Sequence, residues 1–314
     1  MKIGIDMMGG DFAPAEAVKG VKQFLDNTSS DTELVLIGDK TCIHPLLDGT
    51  TTDSSRFTIF HAPEVIGMHE HPTKALKNKP HSSINAGFKI LAEEGIDTFI
   101  SAGNTGAMMV GALYSIKTID GIQRPTISTT LPRQNGTTGL LLDVGINSDC
   151  KPENLLQFAI LGSLYSKNIL HIDNPRVALL NIGEEEGKGN LLAQAAYPVL
   201  RDNSKINFIG NIEGRDIFTE KADVIVCDGF TGNVVLKLAE SFYDIALSRN
   251  IQDDFLLKNF NFETYGGTPV LGIAKPVIIG HGISKASAFK NMITLAQLML
   301  ESQLLDKIRE NFNS

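Results

Sequence analysis

Short apolar runs rich in β-branched residues recur along the chain, at Lys2–Asp6, Glu33–Gly38, Arg56–His61, Asp97–Ser101, Thr138–Val144, Arg176–Ile182, Asn207–Gly210, Ala222–Asp228 and Pro276–Gly280. Each has the length of a strand. Between them the apolar positions change to spacings of three and four, as at Ala17, Val18, Val21, Phe24 and Leu25, which is the buried face of an amphipathic helix. Strand, glycine-rich turn and helix in succession predict an α/β fold built on a mainly parallel sheet. The helix starts carry their usual signals: Pro14 with Glu16, Ser82 and Ser83 before Ile84, Pro152 with Glu153, and Ser284 ahead of the last helix.

No Pro- or Ser-rich linker, low-complexity block or fixed-period repeat interrupts this pattern, so residues 1–314 are expected to form one unit with two lobes around a cleft. The segment 248–264 departs from the alternation. Its polar Arg249, Gln252, Asp253, Asp254, Lys258 and Asn259 surround Ile251, Phe255, Leu256, Phe260 and Phe262, which reads as a helical excursion or a capping helix. With 42% hydrophobic and 20% charged residues over 314 positions, the composition is that of a globular protein. A formal charge of -8 argues against a general nucleic-acid binder. The amino terminus reads as a strand rather than a signal peptide, and no window has the run of about 18 apolar residues of a membrane span; a cytoplasmic protein is expected. Cys42, Cys150 and Cys227 form no C-x-x-C pair and are read as buried, reduced thiols.

Candidate chemistry lies in the turns. Four glycine-bearing stretches each follow an apolar run: Asp6 to Asp11 with Gly9 and Gly10; Ser101 to Gly106 with Asn104 and Thr105; Gly183 to Asn190 with Gly187, Lys188 and Gly189; and Asp228 to Asn233 with Gly232. Glycine lets backbone N–H groups approach an anion, and a helix amino terminus favours negative charge there. Phosphate or a phosphoryl group is the natural guest. Named nucleotide fingerprints fail: no G-x-G-x-x-G follows the first strand, and Gly183–Gly189 is one residue short of a P-loop, with Gly189 where Ser or Thr should stand. The glutamates Glu184–Glu186 would repel an anion unless they turn outward or pair with Lys188 and Arg215. Lys188, flanked by glycines, is placed to neutralise phosphate or an oxyanion, or else it is a surface lysine answering those glutamates. His281 follows an apolar strand and either meets phosphate, acts as an acid or base, or is structural. His69-Glu70-His71 lacks the spacing of a zinc helix, and no G-x-S-x-G elbow or Cys–His neighbour supports a covalent intermediate.

The motifs together resemble the PlsX family of phosphate acyltransferases. The resemblance runs nearly end to end and rests on Met8-Gly9-Gly10-Asp11 with Ala13-Pro14, His61-Ala62 with Glu64-Val65-Ile66, Ser82-Ser83, and Ser101 through Ala107. It continues through Arg124-Pro125, Leu142-Asp143-Val144-Gly145, Leu179 through Glu185, Lys188-Gly189-Asn190 and Phe208 through Gly214. Val226 through Phe230 with Gly232-Asn233, Tyr265-Gly266-Gly267 and His281-Gly282 complete it. It implies a three-layer αβα sandwich similar to phosphotransacetylases and isocitrate or isopropylmalate dehydrogenases. It further implies transfer of a fatty acyl group from acyl carrier protein to inorganic phosphate, with the acyl phosphate consumed by a membrane glycerol-phosphate acyltransferase. A homodimer without a cofactor or metal is implied, cytoplasmic with peripheral contact at the inner membrane face. By motif match, Lys188 would hold phosphate or oxyanion charge, Asn104, Asn190 and Asn233 would hydrogen bond, Asp228 would orient its neighbours, and His281 would meet phosphate or the leaving thiol. Since phosphate is itself a nucleophile, direct attack on a thioester needs only positioning and oxyanion stabilisation.

Two departures from the family pattern stand out: Ile146 replaces a small alanine after Asp143-Val144-Gly145, and the segment 248–264 is shorter than in the family, where it projects toward the membrane. An acidic carrier protein would be met by Lys74, Lys77 and Lys79, the densest basic cluster. Three other readings are weighed: an acyl-CoA:phosphate transacylase, a decarboxylating dehydrogenase, disfavoured for want of clustered metal-binding aspartates, and a non-catalytic phosphate-binding scaffold.

Overall fold

The computed structural model describes residues 1–28, 31–48, 54–251 and 262–313. The chain divides into two compact units, one of Met1–Thr118 with Phe262–Leu305 and the other of Ile119–Asn261 with Asp306–Ser314.

The first unit contains β1 (Lys2–Asp6), α1 (Ala15–Asn27), β2 (Glu33–Gly38), α2 (Lys40–Leu47), β3 (Phe57–His61), α3 (Pro72–Asn78), α4 (Ser83–Ala92), β4 (Thr98–Ser101) and α5 (Thr105–Gly111). The second contains β5 (Thr126–Pro132), β6 (Thr138–Leu142), α6 (Pro152–Asn168), β7 (Arg176–Asn181), α7 (Leu191–Arg201), β8 (Asn207–Glu213), β9 (Val224–Val226) and α8 (Gly229–Ser248). The chain then returns to the first unit for α9 (Phe262–Tyr265), β10 (Thr268–Leu271), β11 (Val277–Ile279) and α10 (Ala286–Glu301), and ends in α11 (Leu304–Asn313).

Strands of the first unit lie in the order β3-β2-β1-β4-β11-β10 and those of the second in the order β5-β6-β9-β7-β8. In each unit every pairing is parallel except one: β10 runs antiparallel to β11, and β5 antiparallel to β6. The expected mainly parallel α/β architecture is therefore the observed one. In the first unit α4 packs on β1, β2 and β4, while α10 packs on β4 and α1; in the second, α6 and α7 cover β9, β6, β7 and β8. The buried side chains of Ile3, Ile5, Leu34, Leu36 and Phe99 fill the first core, and Leu140, Leu142, Phe158, Val177 and Val224 the second. Phe88 meets Phe99 edge to face, with centroids 5.2 Å apart.

Several elements differ from the sequence expectation. Both antiparallel strands, β5 and β10, lie outside the predicted runs. β5 is rich in hydroxyl side chains and β10 is four residues long with Pro269 inside it, so neither shows the continuous apolar signature of a parallel strand. Helix α10 starts at Ala286, two residues after Ser284, and α11 follows it where a single last helix was expected. The carboxylate of Glu16 accepts from the Ala286 amide at 3.0 Å, a long-range cap in place of a local serine. Cys42 is exposed and Cys150 partly so; only Cys227 is buried, since α2 turns Cys42 outward.

At the amino ends of β7 and β9, Asp223 binds two arginines. Arg133 donates to it at 3.0 Å, while Arg176 donates through its backbone amide at 2.8 Å and its guanidinium at 2.9 Å. Burial pushes the Asp223 carboxyl up, but hydrogen bonds from Arg176 and the charge of Arg133 outweigh it and hold the carboxyl below its ordinary value. A carboxyl depressed in the native state contributes its full stability above the ordinary carboxylate range and loses it as pH falls through the native value. Asp223→Asn is expected to cost about 3–5 kcal/mol at neutral pH by leaving Arg133 buried without its partner. Thermal unfolding of parent and variant at neutral and acid pH checks this, with the gap narrowing in acid.

Candidate active site

In parallel sheets ligands bind beyond the carboxyl ends of the strands, and in both units the glycine turns lie there. The first unit places the turns after β1, β4 and β11 side by side, because β4 pairs in parallel with both neighbours. The buried Asp6 ends β1; its carboxylate accepts from the Ser101 hydroxyl at 2.6 Å and the Met8 amide at 2.9 Å. Burial pushes the Asp6 carboxyl above its ordinary value despite these donors. Gly9 fits against this group, since a Cβ there would stand 2.5 Å from Asp6 Oδ2 and 2.6 Å from the Gly103 amide. The Asp11 amide donates to the Gly282 carbonyl at 2.7 Å, so Gly10, Asp11 and the His281–Gly282 turn meet. His281 is half-buried, and the Ile283 amide faces its Nδ1 at 3.5 Å.

Asn104 holds the turn rather than presenting itself. Its Nδ2 donates to the carbonyls of Gly67, Met68 and Glu70 at 3.0, 3.1 and 3.0 Å, and its Oδ1 accepts from the Ala107 amide at 2.9 Å to cap α5. Thr105 is exposed beside it. Gly106 is packed so closely on Pro72 that a side chain would overlap that ring. Of the three lysines expected to meet a carrier protein, Lys79 is drawn inward to the Val65 carbonyl and Glu70, while Lys74 and Lys77 on α3 are exposed.

The second unit builds its own cluster at the ends of β6, β9 and β7, which are adjacent and parallel. The buried Asp143 follows β6. Its Oδ2 accepts from both the backbone amide and the side-chain amide of Asn147, each at 2.7 Å, and its Oδ1 from the Ile127 amide at 3.2 Å. Asp228 follows β9 and clamps the first turn of α8: Thr231 donates to it from its amide at 2.9 Å and from its hydroxyl at 2.8 Å. One turn on, Asn233 is exposed and its Nδ2 donates to the Val144 carbonyl at 3.2 Å. Gly232 lies against Asp143, where any Cβ would overlap the Asp143 carbonyl oxygen.

The turn from β7 to α7 carries the cation. Asn190 caps α7 by accepting from the Ala193 amide at 2.8 Å, and Asn181 Nδ2 donates to the Lys188 carbonyl at 3.1 Å. Gly189 has φ +95° and sits so tightly on Asn181 that a side chain would overlap its amide oxygen. Gly187 faces open space and is not required by sterics. Of the two arrangements open to the glutamates, turning outward is the one seen: Glu184, Glu185 and Glu186 are all exposed, and Glu185 faces Lys188 while Arg215 pairs elsewhere. Arg215 binds Glu213, whereas Lys221 takes Glu184 and Arg201 takes Glu186 at 2.7 Å. Lys188 keeps a distant contact with Glu185 at 3.9 Å and leaves about half of its side chain in solvent.

A family model described as fatty acid synthesis protein matches residues 1–307. The chain belongs to the fatty acid synthesis protein family. A phosphate acyltransferase of Dictyoglomus turgidum is 44% identical over 331 aligned residues, spanning 100% of this chain and 98% of its own. Among solved structures, a phosphotransacetylase from Streptococcus pyogenes matches with a TM-score of 0.66 at 19% identity, covering 98% of this chain and 94% of its own. A 4-hydroxythreonine-4-phosphate dehydrogenase from Klebsiella pneumoniae matches at 0.58 and 11% identity, covering 95% and 97%. At these identities the structural likeness is one of fold, and function has to be argued from the site.

For this member of the fatty acid synthesis protein family, the structure groups Gly9, Gly10, Asp11 and His281 in one unit, with Asn104, Thr105 and Gly106 on the neighbouring turn. It groups Lys188, Gly189 and Asn190 with Asp228, Gly232 and Asn233 in the other, each group at strand ends. Sequence reasoning assigned no role to Asp6 and Asp143, the buried carboxylates that hold the turns. Their signal was present: Asp6 and Asp228 each terminate an apolar run, and Asp143 stands one residue before the end of another. Residues 252–261, the bulk of the expected excursion and the site of Phe255, Leu256, Leu257 and Phe260, lie outside the described residues. No helix among the described residues is long and apolar enough to cross a membrane.

Proposed function

We propose that the protein transfers a fatty acyl group from acyl carrier protein to inorganic phosphate, releasing acyl phosphate. One observation carries this: the β7–α7 turn offers an anion the amino end of a capped helix and a lysine that is half exposed, with Glu184 and Glu186 drawn to Lys221 and Arg201 and only the 3.9 Å contact with Glu185 described for the lysine itself. Family membership supports acyl chemistry, and the name of the 44% identical relative supports phosphate as the acceptor.

In the proposed reaction a phosphate oxygen attacks the thioester carbonyl, forming a C–O bond and a tetrahedral oxyanion. Collapse breaks the C–S bond, and the departing thiolate takes up a proton. Lys188 neutralises phosphate and oxyanion charge, Asn190 and Asn233 supply hydrogen bonds, and Asp228 holds the first turn of α8 in place. The reading carries further partners: a membrane glycerol-phosphate acyltransferase that consumes the product, and a second copy of the chain. The exposed Phe230, Val234, Leu238, Phe242 and Ile245 along α8 support an assembly, because monomers seldom leave so continuous an apolar stripe in solvent.

The test mixes protein, long-chain acyl carrier protein and phosphate, and traps acyl phosphate with hydroxylamine. Phosphate-dependent hydroxamate is expected. Product from acyl-CoA alone would move the donor to coenzyme A, and no product from either thioester in folded protein would favour a phosphate-binding scaffold.

A further inference from the structure

A cavity of about 380 Å³ opens beside the turn that carries Lys188. Its deep wall is apolar: Leu155 of α6, Leu179 of β7 and the Cys227 thiol are all buried, with the half-buried Leu180 and Leu192 above them. Its rim is polar, formed in part by Asn181, Asn190 and Asp228. We infer that this cavity holds the hydrocarbon chain of the acyl group, methyl end inward and carbonyl at the rim. The inference rests on the acyl-transfer reading above and adds the place where the chain is bound.

Three features select a chain over the other parts of a thioester donor. The volume lies at the small end of ligand sites, too small for a protein surface. The deep wall offers no strong hydrogen-bonding group. Burial, with the neighbouring carboxylates of Asp228 and Asp143, pushes the Cys227 thiol well above its ordinary value, so it remains neutral. An adenine ring or the amides of a pantetheine arm would leave polar groups unpaired against leucine there, whereas a hydrocarbon gains from burial. At the rim, both Asp228 oxygens are engaged by Thr231, and Asn181 is bonded to the carbonyl of Lys188 at 3.1 Å. A chain seated inward therefore leaves its reacting end at the residues that position the lysine. Ile182, also on the rim and 81% exposed, extends the apolar path outward.

A chain-shaped probe reads occupancy of the cavity without turnover. The protein has no tryptophan, so the fluorescence of cis-parinaric acid is read against a dark background. Leu192→Phe narrows the cavity from a half-buried position, and Leu192→Ala widens it; circular dichroism verifies each fold. Each buried methylene is worth about fourfold in affinity. Excluding two should weaken parinarate binding more than tenfold in the phenylalanine variant, and dodecanoate should displace the probe from the parent at far lower concentration than hexanoate. The ratio of kcat/KM for long over short acyl donors should fall at least tenfold in L192F and move toward longer chains in L192A. Unaltered parinarate binding in folded L192F, equal displacement by hexanoate, or displacement by coenzyme A at lower concentration than dodecanoate would overturn the inference. Chain-length-ordered displacement from a parent that forms no hydroxamate would leave the cavity assigned and remove acyl transfer alone.

Discussion

Lys188→Ala lowers phosphate-dependent turnover by about 10²–10³-fold, the usual consequence of removing a group that stabilises transition-state charge. The thermal midpoint should stay where it is, because among the described residues the only ion pair lost is the 3.9 Å contact with Glu185, and exposed pairs contribute little. Backbone geometry of the turn survives too: Asn181 bonds the carbonyl of residue 188 and Asn190 caps α7, and neither interaction uses the lysine side chain. Lys188→Arg keeps the charge and should recover part of the rate. The check is hydroxamate formation across a phosphate series, with KM for phosphate rising in the alanine variant. Turnover within twofold of the parent would remove Lys188 from the chemistry and favour its reading as a surface lysine.

The second large effect is structural. In Gly232→Ala the new methyl group meets the carbonyl oxygen of Asp143, a backbone atom that cannot rotate away, and lies 3.0 Å from Cys227 Sγ. Helix α8 would have to shift off β6, against its anchoring by Asp228, whose carbonyl accepts from the residue 232 amide at 3.0 Å. Overpacking of this kind costs on the order of 3 kcal/mol, equivalent to a fall of about 6–12 °C in a unit of this size. Activity should fall with it as Asp228 and Asn233 lose their places. Gly214→Ala is the control: a Cβ there meets nothing within 4 Å, so calorimetry should find its midpoint near that of the parent.

The chain order of strands and helices was legible because a parallel strand must be apolar on both faces and is followed by a turn and an amphipathic helix. Glu33–Gly38 is predicted to the residue. β5 escaped because Ser128, Thr129 and Thr130 dilute its apolar character, and its neighbours Arg133 and Gly136 lead into a hairpin rather than a helix. The break between α10 and α11 at Gln303, with φ +54°, carries no glycine or proline to announce it. In the candidate site, the glycine turns were visible as isolated strings, but their partners were not. Glu184 finds Lys221 and Glu186 finds Arg201 only through the folded chain, while the sequence-near Arg215 turns to Glu213. Asn104 shows the converse. As a polar residue in a glycine turn it reads as a ligand contact, yet its side-chain amide donates to the carbonyls of residues 67, 68 and 70.

The first unit is assembled from both sides of the second along the chain, and β11 is the inner strand between β4 and β10. During synthesis β4 is complete at Ser101, but the strand that covers its free edge begins only at Val277. At translation rates of about 5–20 residues per second, that edge waits on the order of ten to thirty seconds for its partner. An unpaired strand edge is a template for pairing with other chains. The nascent protein thus passes through a window in which its vulnerability to aggregation is set by elongation speed, and substitutions that weaken β11 would lower yield by prolonging that window.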